Sequence, residues 1–207
     1  LTDATASQLA KRPIEYDAGF TLLPGTYRIK FLARDAETGR IGTYQTNFVI
    51  PDLNLVQKRI PISAVVLGNQ RVDLREALYN AEKKKDRYTE QTVNPLVRDG
   101  QKLIPSVTRV FKNDQSMYVY LQAYEQRTQS FQPLIAYLTL YQGQKQAFQT
   151  QPIEVTDGRN NELRTAPLSF TVALHQLPPG AYECQVSVLD PSRQKGAFWR
   201  APIVLVQ

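Results

Sequence analysis

Cysteine is almost missing from this chain. The single one, Cys184, excludes an internal disulfide and any multi-cysteine zinc site. It leaves the compartment open, because a secreted protein can lack disulfides. Histidine is equally scarce: His175 is the only imidazole, so a Ser or Cys nucleophile would have one candidate base. Its place in ALHQLPPG, at the end of a strand, reads as a surface position. No apolar run approaches the roughly 20 residues needed to cross a bilayer as a helix, so no membrane insertion is expected. The opening LTDATASQLA has neither an initiator Met nor an apolar signal core, and reads as an excised or processed piece of something longer. Gly-rich phosphate loops, an HExxH zinc helix and a GxSxG elbow are absent as well.

The remaining acidic groups do not replace these motifs. Glu15 and Asp17 share one face of an expected strand, as a glycosidase pair could, but Tyr16 and Ala18 alternate with them, which makes the pair the solvated side of an amphipathic strand. The loop DGRNNE at 157–162 offers oxygen ligands without EF-hand spacing and with Arg159 inside it. No catalytic residue, metal ligand or cofactor is expected, and the chain reads as non-enzymatic.

The net charge is +6, and residues 52–112 hold most of the excess, with 12 Lys and Arg against 7 Asp and Glu. The densest stretch, Lys83, Lys84, Lys85 and Arg87, is interrupted by Asp86 and has no aromatic stacking motif beside it. It therefore reads as a solvated face, with no nucleic acid as partner.

What the chain does have is β-forming composition, with 11 Tyr and 13 Pro among frequent Val, Ile and Thr. It also has an internal repeat. LLPGTYRIKFLARD at 22–35 matches LPPGAYECQVSVLD at 177–190, so that Leu22, Pro24, Gly25, Tyr27 and Asp35 fall on Leu177, Pro179, Gly180, Tyr182 and Asp190. Each copy is followed by a short turn and a second apolar strand, at 42–51 and 196–206. In the first copy Tyr27, Ile29, Phe31 and Ala33 form an apolar face; in the second, Tyr182, Cys184, Val186 and Val188 do. A Tyr just past a Pro-Gly bend suggests a tyrosine corner, a phenol bonded to backbone upstream, and Tyr27 and Tyr182 are assigned that structural role. Cys184 is read as a small buried apolar residue.

These patterns predict an all-β chain of tandem immunoglobulin-like or fibronectin III-like β-sandwich modules. Residues 1–53 form a partial module with strands at 14–22, 26–34 and 43–50, whose apolar face needs cover from elsewhere. Residues 54–99 form a connection with a strand at 60–67 and a short helix at about 73–85, signalled by Asp73, Glu76 and the spacing of Leu74, Ala77, Leu78 and Ala81. Residues 100–207 form the complete sandwich, with strands at 102–111, 116–126, 133–141, 147–155 and 167–174 before the closing pair. On two of these strands Tyr118, Tyr120 and Tyr124, and Tyr137 and Tyr141, point outward as a candidate binding surface. Such rings bind protein or glycan, or serve as cross-strand packing.

NPLVRDGQKLIPSVTRVF at 94–111, MYVYLQAYE at 117–125 and LPPGAYECQVSVLDP with GAFWRAPIVLV at the end resemble the C-terminal region of acidobacterial proteins that carry a von Willebrand factor A-related domain. LPGTYRIKFLARDAETGRIGTYQTNFVIPDL at 23–53 is similar to the stretch preceding that region. The resemblance covers most of 14–207 but not 68–93. It implies a bacterial protein outside the cytoplasm (periplasmic, cell-surface or secreted), with an upstream domain of the same polypeptide carrying a DxSxS metal-adhesion motif. That motif is not in this chain, so no metal site is carried over. The function implied is a structural or protein-interaction segment that spaces or presents the upstream domain. The alternative is an accessory carbohydrate-binding module.

Overall fold

The computed structural model describes residues 22–53, 58–73, 94–124, 133–155 and 165–207. Every regular element among them is a β-strand. The chain divides into two compact units, 1–51 and 52–207. The expected strand at 14–22, the helix at about 73–85 beyond Asp73 and the loop at 157–162 lie outside the described residues, apart from Leu22.

In the first unit, β1 (Gly25–Arg34) and β2 (Ile41–Ile50) form a hairpin paired from Gly25 with Ile50 to Arg34 with Ile41. On one face Tyr27 stacks on Phe48 at 5.7 Å and Phe31 lies 6.4 Å from Tyr44. Tyr27 and Ile29 are half-buried, while Phe31 and Ala33 are exposed.

The second unit has two sheets. One has the order β11-β7-β3-β5-β4, built from β3 (Val66–Asp73), β4 (Val97–Arg98), β5 (Gln101–Pro105), β7 (Ser116–Tyr124) and β11 (Thr165–Ala173). The other runs β10-β8-β12-β13-β6, with β9 also on β8. Its strands are β6 (Val110–Lys112), β8 (Leu134–Gln142), β9 (Lys145–Gln149), β10 (Ile153–Val155), β12 (Gly180–Asp190) and β13 (Lys195–Val206). All pairings are antiparallel except that of β6 with β13.

A single core cluster draws on both sheets: Met117, Val119, Leu121, Leu168, Phe170 and Val172 from the first, Ala136, Leu138, Leu140, Cys184, Val186 and Ile203 from the second. Alternate residues of β7 are buried and half-buried along its whole length, as period-two patterning requires of a strand with one face on a core. This arrangement fits a β-sandwich. Truncating one of these fully buried leucines to alanine would cost about 2–5 kcal/mol.

Three expectations change. The stretch at 54–99 is not merely a connection, because it contributes β3 and β4 to the second unit, which begins at Asp52. The strand expected at 60–67 appears as Val66–Asp73. Before it, the chain follows β7 without a regular ladder. Tyr124 N–H donates to Pro61 O, Ser63 N–H donates to Gln122 O, and Gln122 N–H donates to Ser63 Oγ where a strand would offer a carbonyl. Second, the strand expected at 102–111 is two strands in different sheets. The chain leaves β5 at Pro105 and enters β6 after Arg109, whose φ of 55° lies in the left-handed region. Third, 147–155 divides into β9 and β10, which are separated by Thr150, Gln151 and Pro152.

Candidate interaction surface

The strand that opens each closing hairpin is fixed at both ends by side chains. Tyr182 is 2% exposed, and its hydroxyl donates to Pro178 O at 2.8 Å. Tyr27 Oη donates to Leu23 O at 2.7 Å. Both bonds reach four residues upstream, across the Pro-Gly bend, which is the geometry of a tyrosine corner.

At the far end the repeated aspartates close the next turn. Asp190 Oδ1 accepts from Arg193 N–H and Ser192 Oγ at 3.0 and 2.7 Å. Asp35 Oδ1 accepts from Glu37 N–H at 2.9 Å and Thr38 N–H at 3.3 Å, and Oδ2 accepts from Thr38 Oγ1 at 2.7 Å. These bonds, the Thr38 hydroxyl first, hold the Asp35 carboxyl below its ordinary range. The repeat shows that these aspartates match, but not what they do; an Asp followed two or three residues later by Ser or Thr is the signal for such a turn.

Cys184 lies in the core, where burial first and the nearby Glu183 second push its thiol up to about 12. A neutral thiol of this kind is inert as a nucleophile. His175 is exposed on the loop before the Pro-Gly bend. Among the described residues no three His, Cys, Asp or Glu side chains are grouped so as to hold a metal ion. No helix among them is long and apolar enough to cross a membrane.

The five tyrosines do not form one surface. Tyr118, Tyr120 and Tyr124 lie on the outer face of the β7 sheet, and Tyr137 and Tyr141 on the outer face of the β8 sheet, so the core separates the two sets. All five are half-buried. The Arg71 guanidinium sits 4.6 Å from the Tyr118 ring centroid, a cation–π contact that occupies that ring. Burial raises the phenol pKa of Tyr120 and Tyr124; for Tyr120 a hydrogen bond with Gln122 opposes the rise.

On the β8 sheet, Tyr137, Ser187 and Phe198 stand opposite one another across three strands, and Ser187 is fully buried. In the next row Thr139 Oγ1 donates to Gln149 Oε1 at 3.2 Å. Gln185 donates through Nε2 to Ser187 Oγ at 3.0 Å and accepts from Arg200 Nε. These hydrogen bonds offset part of the cost of burying polar residues on an outward face.

No protein-family model matches this chain, and no curated protein matches it at a significant level. The reading of function rests on geometry. Besides the two aromatic faces, the described residues hold a cleft of about 430 Å³ beside the β10 edge. It is lined by Pro133, Pro152 and Pro191 with Ile135, Ile153, Glu154 and Ser192. Sequence reasoning has no access to it, because three prolines far apart in the chain meet only once β10 and β12 both pair with β8.

Proposed function

We propose that the chain is a non-enzymatic structural and protein-interaction segment of a secreted or cell-surface bacterial protein. In this reading it consists of tandem immunoglobulin-like or fibronectin III-like modules and spaces or presents an upstream von Willebrand factor A-type domain. The observation that carries the reading is the doubled hairpin, in which Tyr27 and Tyr182 each bond the carbonyl four residues upstream and Asp35 and Asp190 each accept from the amide three residues on. A chain that builds one closing hairpin twice is using a repeated scaffold. The second unit adds support, since β7 and β11 facing β8, β12 and β13 correspond to strands B and E facing C, F and G of an immunoglobulin-type sandwich. The test is the reading frame upstream of Leu1. A von Willebrand-type domain with its DxSxS motif supports the proposal, and an unrelated or enzymatic domain there overturns it.

A second reading, glycan binding, draws on Tyr118, Tyr120 and Tyr124 sharing one strand face. Titration calorimetry with soluble polysaccharides tests it: heat that disappears in a Tyr120→Ala, Tyr124→Ala variant would favour glycan binding over a purely structural role.

A further inference from the structure

The β13 edge is partly open. β13 pairs with β12 from Lys195 to Leu205 on one side, but on the other β6 reaches only Val204, Leu205 and Val206, and no described residue pairs with the stretch before them. The direction of the unpaired groups follows from two bonds on the β6 side: Val204 N–H donates to Arg109 O, and Asn113 N–H donates to Val206 O. A strand residue points its N–H and C=O to the same side, and the side alternates along the chain. Pro202, Arg200, Phe198 and Gly196 therefore direct their main-chain groups to the open edge, while the intervening residues bond to β12. Pro202 fits this parity, because proline is tolerated where a strand's N–H would face outward.

The open stretch is bounded and symmetric. Pro202 offers no donor at one end, and Gln194, with φ of 52°, turns the chain away at the other. Between them the donating residues are Gly196, Phe198 and Arg200, centred on Phe198. That ring is 63% exposed on the outer face and leans over Gly196, where an added Cβ would meet it at 3.4 Å. Edges of this kind are normally shortened, charged or covered.

We propose that this edge is a self-association site, at which a second copy of the chain pairs its own β13 antiparallel across a two-fold axis through Phe198. In that register Phe198 lies opposite Phe198 and Gly196 opposite Arg200. About six main-chain hydrogen bonds form across the axis. The exposed rings cover each other, and Arg200 meets a glycine rather than a like charge. Two six-stranded sheets become one continuous sheet through an isologous contact. A second copy fits better than a foreign peptide, because the donors, the central ring and the small residue opposite the arginine all match their own images. The proposal is independent of the upstream-domain reading.

Sedimentation velocity on the full 207-residue chain from about 1 to 200 µM tests it, with hydrogen exchange on the same samples. The expected result is a concentration-dependent dimer with protection of the Gly196, Phe198 and Arg200 amides. Phe198→Lys, which sets two cations on the axis, should weaken dimerisation at least about tenfold. Phe198→Pro, which removes ring and donor but no β12 bond, should do the same; both variants should keep the cooperative unfolding transition. A wild-type chain that stays monomeric at the highest concentration overturns the proposal, as does a dimer that survives both substitutions.

Discussion

The hairpins β1–β2 and β12–β13 share a sequence motif, a tyrosine corner and an aspartate-closed turn, yet they differ in what lies against them. Val186, at the repeat position of Phe31, is fully buried between two sheets, whereas Phe31 is 51% exposed. β12 is flanked by β8 and β13; β1 has only β2 among the described strands. The comparison separates two contributions to one motif. The local bonds, Tyr to carbonyl and Asp to turn amides, form in both places, so the sequence of the repeat is enough to make them. Burial depends on neighbours far away in the chain and differs completely.

A charge placed at the repeat position should show the largest contrast. Val186→Asp leaves a carboxylate in the core without a partner and should cost roughly 3–5 kcal/mol. Phe31→Asp should cost about 1 kcal/mol or less. Urea titration of both variants measures this, and equal losses would mean that the two faces are covered alike. The corner hydroxyls come next. Tyr182→Phe leaves the Pro178 carbonyl short of a donor in a buried setting and should cost about 1 kcal/mol or somewhat more. Tyr27→Phe should cost a few tenths, because water can replace the lost bond to Leu23. Coincident midpoints for wild type and Tyr182→Phe would remove the corner from the account of stability.

The buried copy of the strand also makes a chemical prediction. Native protein should not react with a thiol reagent at about pH 8, where the Cys184 thiol, pushed up to about 12, is protonated and enclosed. Unfolded protein should react with one equivalent. Rapid reaction of the native chain would show that the core around Val186 opens readily. The smallest effect belongs to Asp35. Its folded pKa lies below the ordinary value of 3.8, so its stabilisation of the β1–β2 turn is fully present above that value and is lost as pH falls through the lower folded one. An NMR titration of the Glu37 and Thr38 amides should place the midpoint below 3.8, and a midpoint at or above it contradicts the hydrogen bonds to this carboxylate.

Strands whose pattern is local were legible. β7, β11 and β13 follow in their burial the period-two alternation that the sequence displays, β1, β2, β8 and β12 form where strands are expected, and Pro-Gly with Tyr marked both corners. What stayed hidden depends on pairing between distant segments. Residues 66–73 do not say by themselves that β3 lies between β7 and β5; the reason for Gly68 shows only once β5 is alongside, because an added Cβ there would collide with the Ile104 carbonyl oxygen. Alternation sets the five tyrosines opposite the core-facing residues of each strand but cannot assign strands to sheets, so one expected surface becomes two. Thr139, Gln185 and Ser187 alternate with the core-facing residues of their strands and are nevertheless buried, each in a side-chain hydrogen bond that period-two patterning does not reveal.

The parallel pairing of β6 with β13 bears on how the second unit would carry load. β13 runs toward the C-terminus and β6 lies early in the unit, so tension between the segment before β6 and Gln207 pulls the two strands in opposite directions along their length. The bonds between Val110–Lys112 and Val204–Val206 lie across that pull and are strained together. In an antiparallel hairpin pulled from its open end they would break singly, in succession. Force applied between β5 and Gln207 would therefore have to break the β6–β13 ladder as a set.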